Sequence, residues 1–404
     1  MSQLPARQAI VLFLSFAFAY FFSALLRAVT ATLAPTLTQE FALNARDLGL
    51  LAGGYFFGFA ATQLPLGTWL DRHGPKKVIL SFLLVAAAGC VAFSLATSFP
   101  GLLAARVLCG VGLSACLMAP LTGYRRWFSP TAQLRANSWM LMTGSFGMLA
   151  STLPVQWLMP IMGWRPLFWA LAALIVLSMA LIAWTVPKWE SAPAGVVNAP
   201  QGYAEVWRHP YFRRMVPIGF FAYGGMSAVQ TLWAGPWMVR VAGYAPLEAA
   251  AGLFAINISM LCTFWGWGMV MPWLTHKGFT AERLIAAGLP LSFLVLAAII
   301  MAGPAAGAWS WALFCLSCTF ISLAQPAVGM AFPPAVAGRA LSAYNLVLFA
   351  GVFIIQWGIG LLVDAFGAAG FSEIGSFRAA MAVFLGCSVL SYGYFLLAKD
   401  NSPE

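Results

Sequence analysis

Two arginines, Arg27 and Arg106, stand inside long apolar runs of this 404-residue chain. A cation at the centre of a bilayer costs roughly 3 kcal/mol on insertion scales, so each must meet water, a partner or a bound anion. Tyr20, Ser23, Arg27 and Thr30 recur at helical spacing and make one polar stripe on an apolar helix. Arg27 lies about ten residues, or ~15 Å, from the far end of its helix, and Arg106 ~10 Å from the end of its own. The two can therefore share a depth. A guanidinium offers a planar fork of donors that matches a carboxylate or a phosphate. Arg27 is accordingly the candidate charge complement for an anionic solute. The alternative is a structural cation satisfied by carbonyls or snorkelling outward. For Arg106, burial against neighbouring helices stands beside a functional role.

The second half of the chain offers uncharged polar groups. Tyr223, Ser227 and Gln230 fall at i, i+4 and i+7, with Trp233 and Trp237 further along the same run. Asn257, Gln325 and Gln356 are further amides within apolar segments. A buried amide needs partners, which a solute or a neighbouring helix can supply equally well. The acidic residues Glu40, Asp47, Asp71, Glu190, Glu205, Glu248, Glu282, Asp364, Glu373, Asp400 and Glu404 all fall in loops or at helix ends. So do His73, His209 and His276. All seven cysteines lie in apolar segments, and Cys315-x-x-Cys318 has no histidine or carboxylate near it, which points to packing rather than metal or redox chemistry. No nucleophile–base pair and no metal cluster is legible, so neither an enzyme nor a cofactor is expected.

The elements that must position these residues follow from composition. The chain is 62% hydrophobic and only 8% charged, which no soluble fold accommodates. A bilayer crossing takes about twenty apolar residues, leaving room for roughly twelve helices. They are expected near 9–37, 47–70, 76–97, 100–125, 134–160, 165–186, 213–240, 247–274, 279–302, 307–335, 340–365 and 376–398. The first run, from Ala9, is longer than a signal-peptide core and reads as the first span. Pro187–Tyr211 is the long polar stretch. It is expected to link a bundle at 1–186 to a second at 212–404, with a short interfacial helix within 203–212. The net charge of +10 sits in short loops, which argues for orientation rather than nucleic acid. With the N-terminus inside, fifteen of the loop and terminal Lys and Arg residues are cytoplasmic, and only Arg46, Arg165, Arg240 and Arg378 lie outside. That bias places both termini in the cytoplasm.

The densest charge is the stretch Gly67–Val78, G-T-W-L-D-R-H-G-P-K-K-V. Its Gly67, Asp71, Arg72, Gly74, Lys76 and Lys77 resemble the loop 2–3 motif of the major facilitator superfamily. Arg106–Gly112, R-V-L-C-G-V-G, is similar to that family's fourth-helix motif, which implies a part for Arg106 in proton coupling or helix packing and a packing role for Gly110 and Gly112. The halves also repeat at an offset of about 204 residues. Trp69-Leu70-Asp71 aligns with Trp273-Leu274-Thr275, and Arg135, Ala136 and Ser138 align with Arg339, Ala340 and Ser342. The resemblance implies an all-α membrane protein of the major facilitator fold, with two pseudo-symmetric six-helix bundles around a central cavity. It further implies that Asp71, with Arg72 and with Arg125 or Arg126, forms a cytoplasmic gate.

Tyr20–Lys77 resembles the organic-anion and sugar-phosphate branches, through Arg27, Pro35 and the run Gln63 to Arg72. The fifth helix, with Gly144-Ser145-Phe146-Gly147 and Pro154, lacks the G-P-x-x-G-G pattern of drug antiporters. The expectation is a monomeric secondary transporter of the inner membrane that moves a small organic anion, a carboxylate, by alternating access. Arg27, Tyr20, Ser23, Tyr223, Ser227, Gln230, Gln325 and Gln356 are the expected solute contacts. Asp71, Arg72, Arg106 and Arg126 are the expected gating and coupling groups. A transporter of a neutral or zwitterionic solute, or a solute receptor that carries nothing, is the alternative.

Overall fold

The computed structural model describes residues 4–187, 189 and 203–398, and the regular structure among them is helical throughout. Nine helices among the described residues are long and apolar enough to cross a membrane: Ala6–Phe41, Arg72–Leu95, Phe99–Trp127, Trp164–Thr185, Pro246–His276, Ala281–Ala305, Ala308–Met330, Val336–Ala368 and Glu373–Leu397. The other three expected spans are helical but broken. α1 (Ala6–Phe41) leads to α2 (Ala45–Ala61) and, past Thr62, to α3 (Gln63–Leu95). Pro65 lacks the N–H that would donate to the Ala61 carbonyl, so the α2 hydrogen-bond ladder stops there. The side chains of Thr62 and Gln63 instead donate to the Phe59 carbonyl at 2.9 and 3.1 Å.

The tight turn expected between the second and third spans is a single residue. α3 is helical on both sides of Gly74, which has φ +77°, and Pro75 follows it. α4 (Phe99–Leu113) and α5 (Ala115–Trp127) make the fourth span, bent at Ser114. The fifth is α6 (Pro130–Ala150) and α7 (Leu153–Met162), interrupted just before Pro154. α8 (Trp164–Thr185) follows, and the short helix expected in the linker is α9 (Ala204–Arg208).

The seventh run is the least regular. α10 (Pro210–Ile218), α11 (Gly224–Ala228) and α12 (Ala234–Arg240) are joined by π-helical turns at Gly219–Tyr223 and Val229–Trp233. Each π turn closes i→i+5 bonds, so the 3.6-residue spacing used to align Tyr223, Ser227 and Gln230 does not run unbroken through this segment. α13 (Pro246–His276), α14 (Ala281–Ala302), α15 (Ala308–Cys318), α16 (Ala324–Met330), α17 (Pro334–Ala368) and α18 (Glu373–Leu397) complete the fold.

The chain divides into two compact units, Met1–Val29 with Gly54–Gln201 and Thr30–Gly53 with Gly202–Glu404. In the first, α3 packs along α4 and α8. The α3–α4 contact is close because Gly112 has no side chain; a Cβ there would run into the Ala86 backbone. In the second, Phe212, Met215, Ile218, Leu289, Ile321 and Tyr344 belong to one buried cluster. Lipid is as apolar as these side chains, so close packing rather than water exclusion holds such helices together. Thr30–Gly53, part of the stretch that sequence assigned to the N-terminal bundle, packs with the C-terminal residues.

Candidate functional site

In the first unit the polar stripe of α1 meets an aromatic pair on α2. Tyr55 and Phe59, one helical turn apart, stack with ring centroids 6.2 Å apart. The Arg27 guanidinium lies over the Phe59 ring at 5.5 Å, and that of Arg106 over the Tyr55 ring at 5.1 Å. Two cations from α1 and α4 therefore flank one aromatic pair, as the negative ring faces favour. Their surroundings differ. Arg106 is completely buried, whereas Arg27 is half-buried.

Arg106 Nη1 donates to the Leu26 carbonyl at 2.8 Å, holding α1 at the residue just before Arg27. Its Nε and Nη2 have no hydrogen-bond partner among the described residues. Its neighbour Gly110 leaves room for the α2 backbone, since a Cβ there would strike the Tyr55 carbonyl. The Tyr55 hydroxyl donates to the Ser23 carbonyl at 3.1 Å, and the Ser23 hydroxyl donates to the Leu113 carbonyl at 3.2 Å. Ser23 thus ties α1 to both α2 and α4. Tyr20 is buried with its ring against Gly144 of α6. Tyr55 and Phe59 were not singled out from sequence. Their signal was the aromatic run Tyr55-Phe56-Phe57 between Gly54 and Gly58, an unusual concentration of bulk beside glycine.

In the second unit each expected glutamine has a protein partner. Gln230 Nε2 donates to Asn257 Oδ1 at 2.9 Å, and Gln325 Nε2 to Asn345 Oδ1 at 2.7 Å. Gln356 is completely buried; its Nε2 donates to Thr231 Oγ1 at 2.9 Å, and its backbone carbonyl accepts from Trp233 Nε1 at 3.0 Å. Thr231 in turn donates to the Ser227 carbonyl at 2.6 Å. Gln356 Oε1 alone in this group lacks a partner among the described residues. Ser227 is buried, and Tyr223 is half-buried with its ring edge-on to Phe349. Trp237 donates to the Ala306 carbonyl at 3.0 Å and is fully buried. Each of these amides thus makes a hydrogen bond between helices, and Gln230 and Gln325 are still partly exposed.

Of the residues expected to gate, Asp71, Arg72 and Arg126 lie around the bend in α3, and Arg106 does not. Asp71 is helical and precedes the bend, but its side chain lies outside the described residues. Arg72 is exposed. The Arg126 guanidinium stacks 4.4 Å above the ring of Trp189, the residue that sequence placed in the linker. Trp127 meets the same ring edge-on at 6.1 Å. Lys76 Nζ donates to the Val186 carbonyl at 2.7 Å, and a Cβ at Gly74 would collide with Trp189. Chain following α8 thus lies against Gly74 and Lys76 of the motif.

Long apolar helices broken by proline, with one wholly buried and one half-buried arginine among them, define a multi-pass membrane protein. The chain matches the family model described as Major Facilitator Superfamily over residues 16–355, and it belongs to that family. It is 26% identical over 323 residues to the inner membrane transport protein YajR of Escherichia coli, covering 76% of this chain and 67% of that one. It is 24% identical over 371 residues to the 3-(3-hydroxy-phenyl)propionate transporter of Escherichia coli, covering 86% and 87%. Among solved structures, a bacterial homolog of the human lysosomal transporter Spinster superposes with a TM-score of 0.79 at 19% identity, covering 98% of each chain. Family and fold are those of membrane transporters.

Proposed function

We propose that the protein is a secondary transporter of a small organic anion, a carboxylate, and that Arg27 is its principal charge contact. The observation that carries this reading is the Arg27–Phe59–Tyr55–Arg106 arrangement. It sets a half-buried guanidinium beside apolar ring faces, which suits an anionic head on an apolar body. Arg106 differs in its role, because it is wholly buried and bound to the Leu26 carbonyl; it positions α1 rather than touching solute. The relative named for 3-(3-hydroxy-phenyl)propionate, itself a carboxylate, supports the solute class. The bias of loop cations supports a bacterial inner-membrane orientation with Gly67–Lys77 and both termini in the cytoplasm. In the second unit we assign Tyr223, Gln230 and Gln325 to orienting the solute, and Ser227 and Gln356 to holding their helices.

The test is a thermal-shift screen of purified protein against carboxylates, phosphates, amino acids and organic cations. A ligand at a hundred times its dissociation constant adds about 2.7 kcal/mol by mass action. The expected result is a rise in Tm with a carboxylate, abolished in Arg27→Ala and strongly weakened in Arg27→Lys, because an ammonium lacks the bidentate fork. Wild-type affinity in folded Arg27→Ala would remove Arg27 from the site and the anion reading with it.

A further inference from the structure

The first turn of α2 is capped from a distant helix. Asp364, near the end of α17, accepts hydrogen bonds from the Ala45 N–H at 3.1 Å and the Arg46 N–H at 2.8 Å, one on each carboxylate oxygen. The chain supplies its own cap only to the next amide, Asp47 N–H, which donates to Asn44 Oδ1 at 2.8 Å. A helix start leaves its first N–H groups unsatisfied and carries partial positive charge, so a carboxylate there is favoured twice over. The Arg46 guanidinium is turned away, pairing with Asp47 at 3.5 Å. The corresponding helix in the second half behaves differently: α13 caps itself, with Glu248 accepting from the Ala245 N–H at 2.9 Å. The position 204 residues before Asp364 is Pro160, which has no side-chain acceptor. The long-range cap is therefore a feature of one half of the repeat.

The contact beneath this cap is made of backbone. A Cβ at Gly49 would strike the Gln356 carbonyl, and one at Gly360 the Ala45 carbonyl. No side chain interlocks at these two points, and one turn further on the Phe353 ring lies flush against Gly53, so at each glycine the α2 side of the seam is smooth. Arg46 is exposed and Asp364 half-buried, so the freed amides and carboxylate have water to turn to.

We infer that Asp364 is a releasable clasp: it holds the strap Thr30–Gly53 against α17, and its release lets that strap lift. This rests on the transport reading, under which α2 starts at the outer face and the clasp sets how readily that face opens. The helix start loses its cap when the strap lifts, which makes docking self-reinforcing.

The experiment uses the full chain in nanodiscs without added solute. Exposed Gln39 and Ala369 are replaced by cysteine for spin labelling, in a background with the exposed Cys262 changed to serine. Pulsed electron resonance then reads the distance distribution between the labels. Asp364→Asn and Asp364→Ala should raise the ratio of separated to docked strap roughly tenfold, the shift that losing one hydrogen bond to a charged group produces. Gly360→Ala, which wedges the same contact by a different route, should also move the distribution outward. Unchanged distributions in both Asp364 variants overturn the clasp, whatever Gly360→Ala does. Because no solute is present, this outcome is independent of whether Arg27 binds an anion.

Discussion

Arg27 and Arg106 show how one residue type takes two roles through burial. Both lie over an aromatic face, but Arg106 is sealed from solvent and donates to a backbone carbonyl, whereas Arg27 is half-buried. Removing that guanidinium takes away a charge-assisted hydrogen bond between α4 and α1, worth about 1.5–3 kcal/mol, and leaves a void as well. Arg106→Ala is therefore expected to lower Tm by several degrees in the absence of solute, whereas Arg27→Ala, at a half-buried position, should lower it by less. Scanning fluorimetry of the two purified variants side by side checks this. Equal losses for both would show that Arg27 is as structural as Arg106. Sequence could find these cations because charge inside an apolar run needs no fold to be noticed. It could not divide them, because which carbonyl lies within reach depends on how α1 and α4 cross.

At the scale of elements, the bend in α3 and the segment after α8 depend on each other. Gly74 is the residue that adopts φ +77°, and its missing side chain is also what lets Trp189 lie against it. Gly74→Ala should therefore be destabilising for two separable reasons. A backbone at φ +77° and ψ +162° is essentially reserved for glycine and costs an alanine about 1–3 kcal/mol, and the collision with Trp189 adds to that. In a double-mutant cycle, Trp189→Ala should recover the collision part but not the backbone part, so the two changes together destabilise less than their sum. Strict additivity in thermal unfolding would mean that Trp189 does not rest on Gly74 in the membrane-embedded protein. The glycine was legible in sequence as part of a motif and a turn. Trp189 was not, because it stands in a polar stretch whose composition reads only as a linker. The breaks were partly legible: Pro65 and Pro154 stand beside the interruptions at Thr62 and Ser151–Thr152. The π turns at Gly219–Tyr223 and Val229–Trp233 carried no comparable signal, and the spacing argument for Tyr223, Ser227 and Gln230 weakened there.

For the whole molecule, the placement of titratable groups bears on how transport is driven. Among the described residues Glu40, Asp47, Glu248, Glu282, Asp364 and Glu373 lie within about a turn of a helix end, and His73, His209 and His276 stand at a bend or a terminus. Proton carriers inside membranes are usually Asp, Glu or His, and arginine holds its proton at any working pH. A negative interior opposes entry of a monoanion by about 2.3 kcal/mol per 100 mV, so concentrative uptake needs co-transported cations or an exchange partner. A carboxylic acid could bring its own proton, but a guanidinium at Arg27 favours the ionised form. Exchange of one anion for another, or downhill flux, is therefore the expected mode. In proteoliposomes with a proton gradient and an empty lumen, the best ligand of the thermal screen should equilibrate without accumulating. Preloading the lumen with the same anion should accelerate its entry several-fold. Steep accumulation that collapses with a protonophore and ignores the internal anion would instead require a proton site that these residues do not supply.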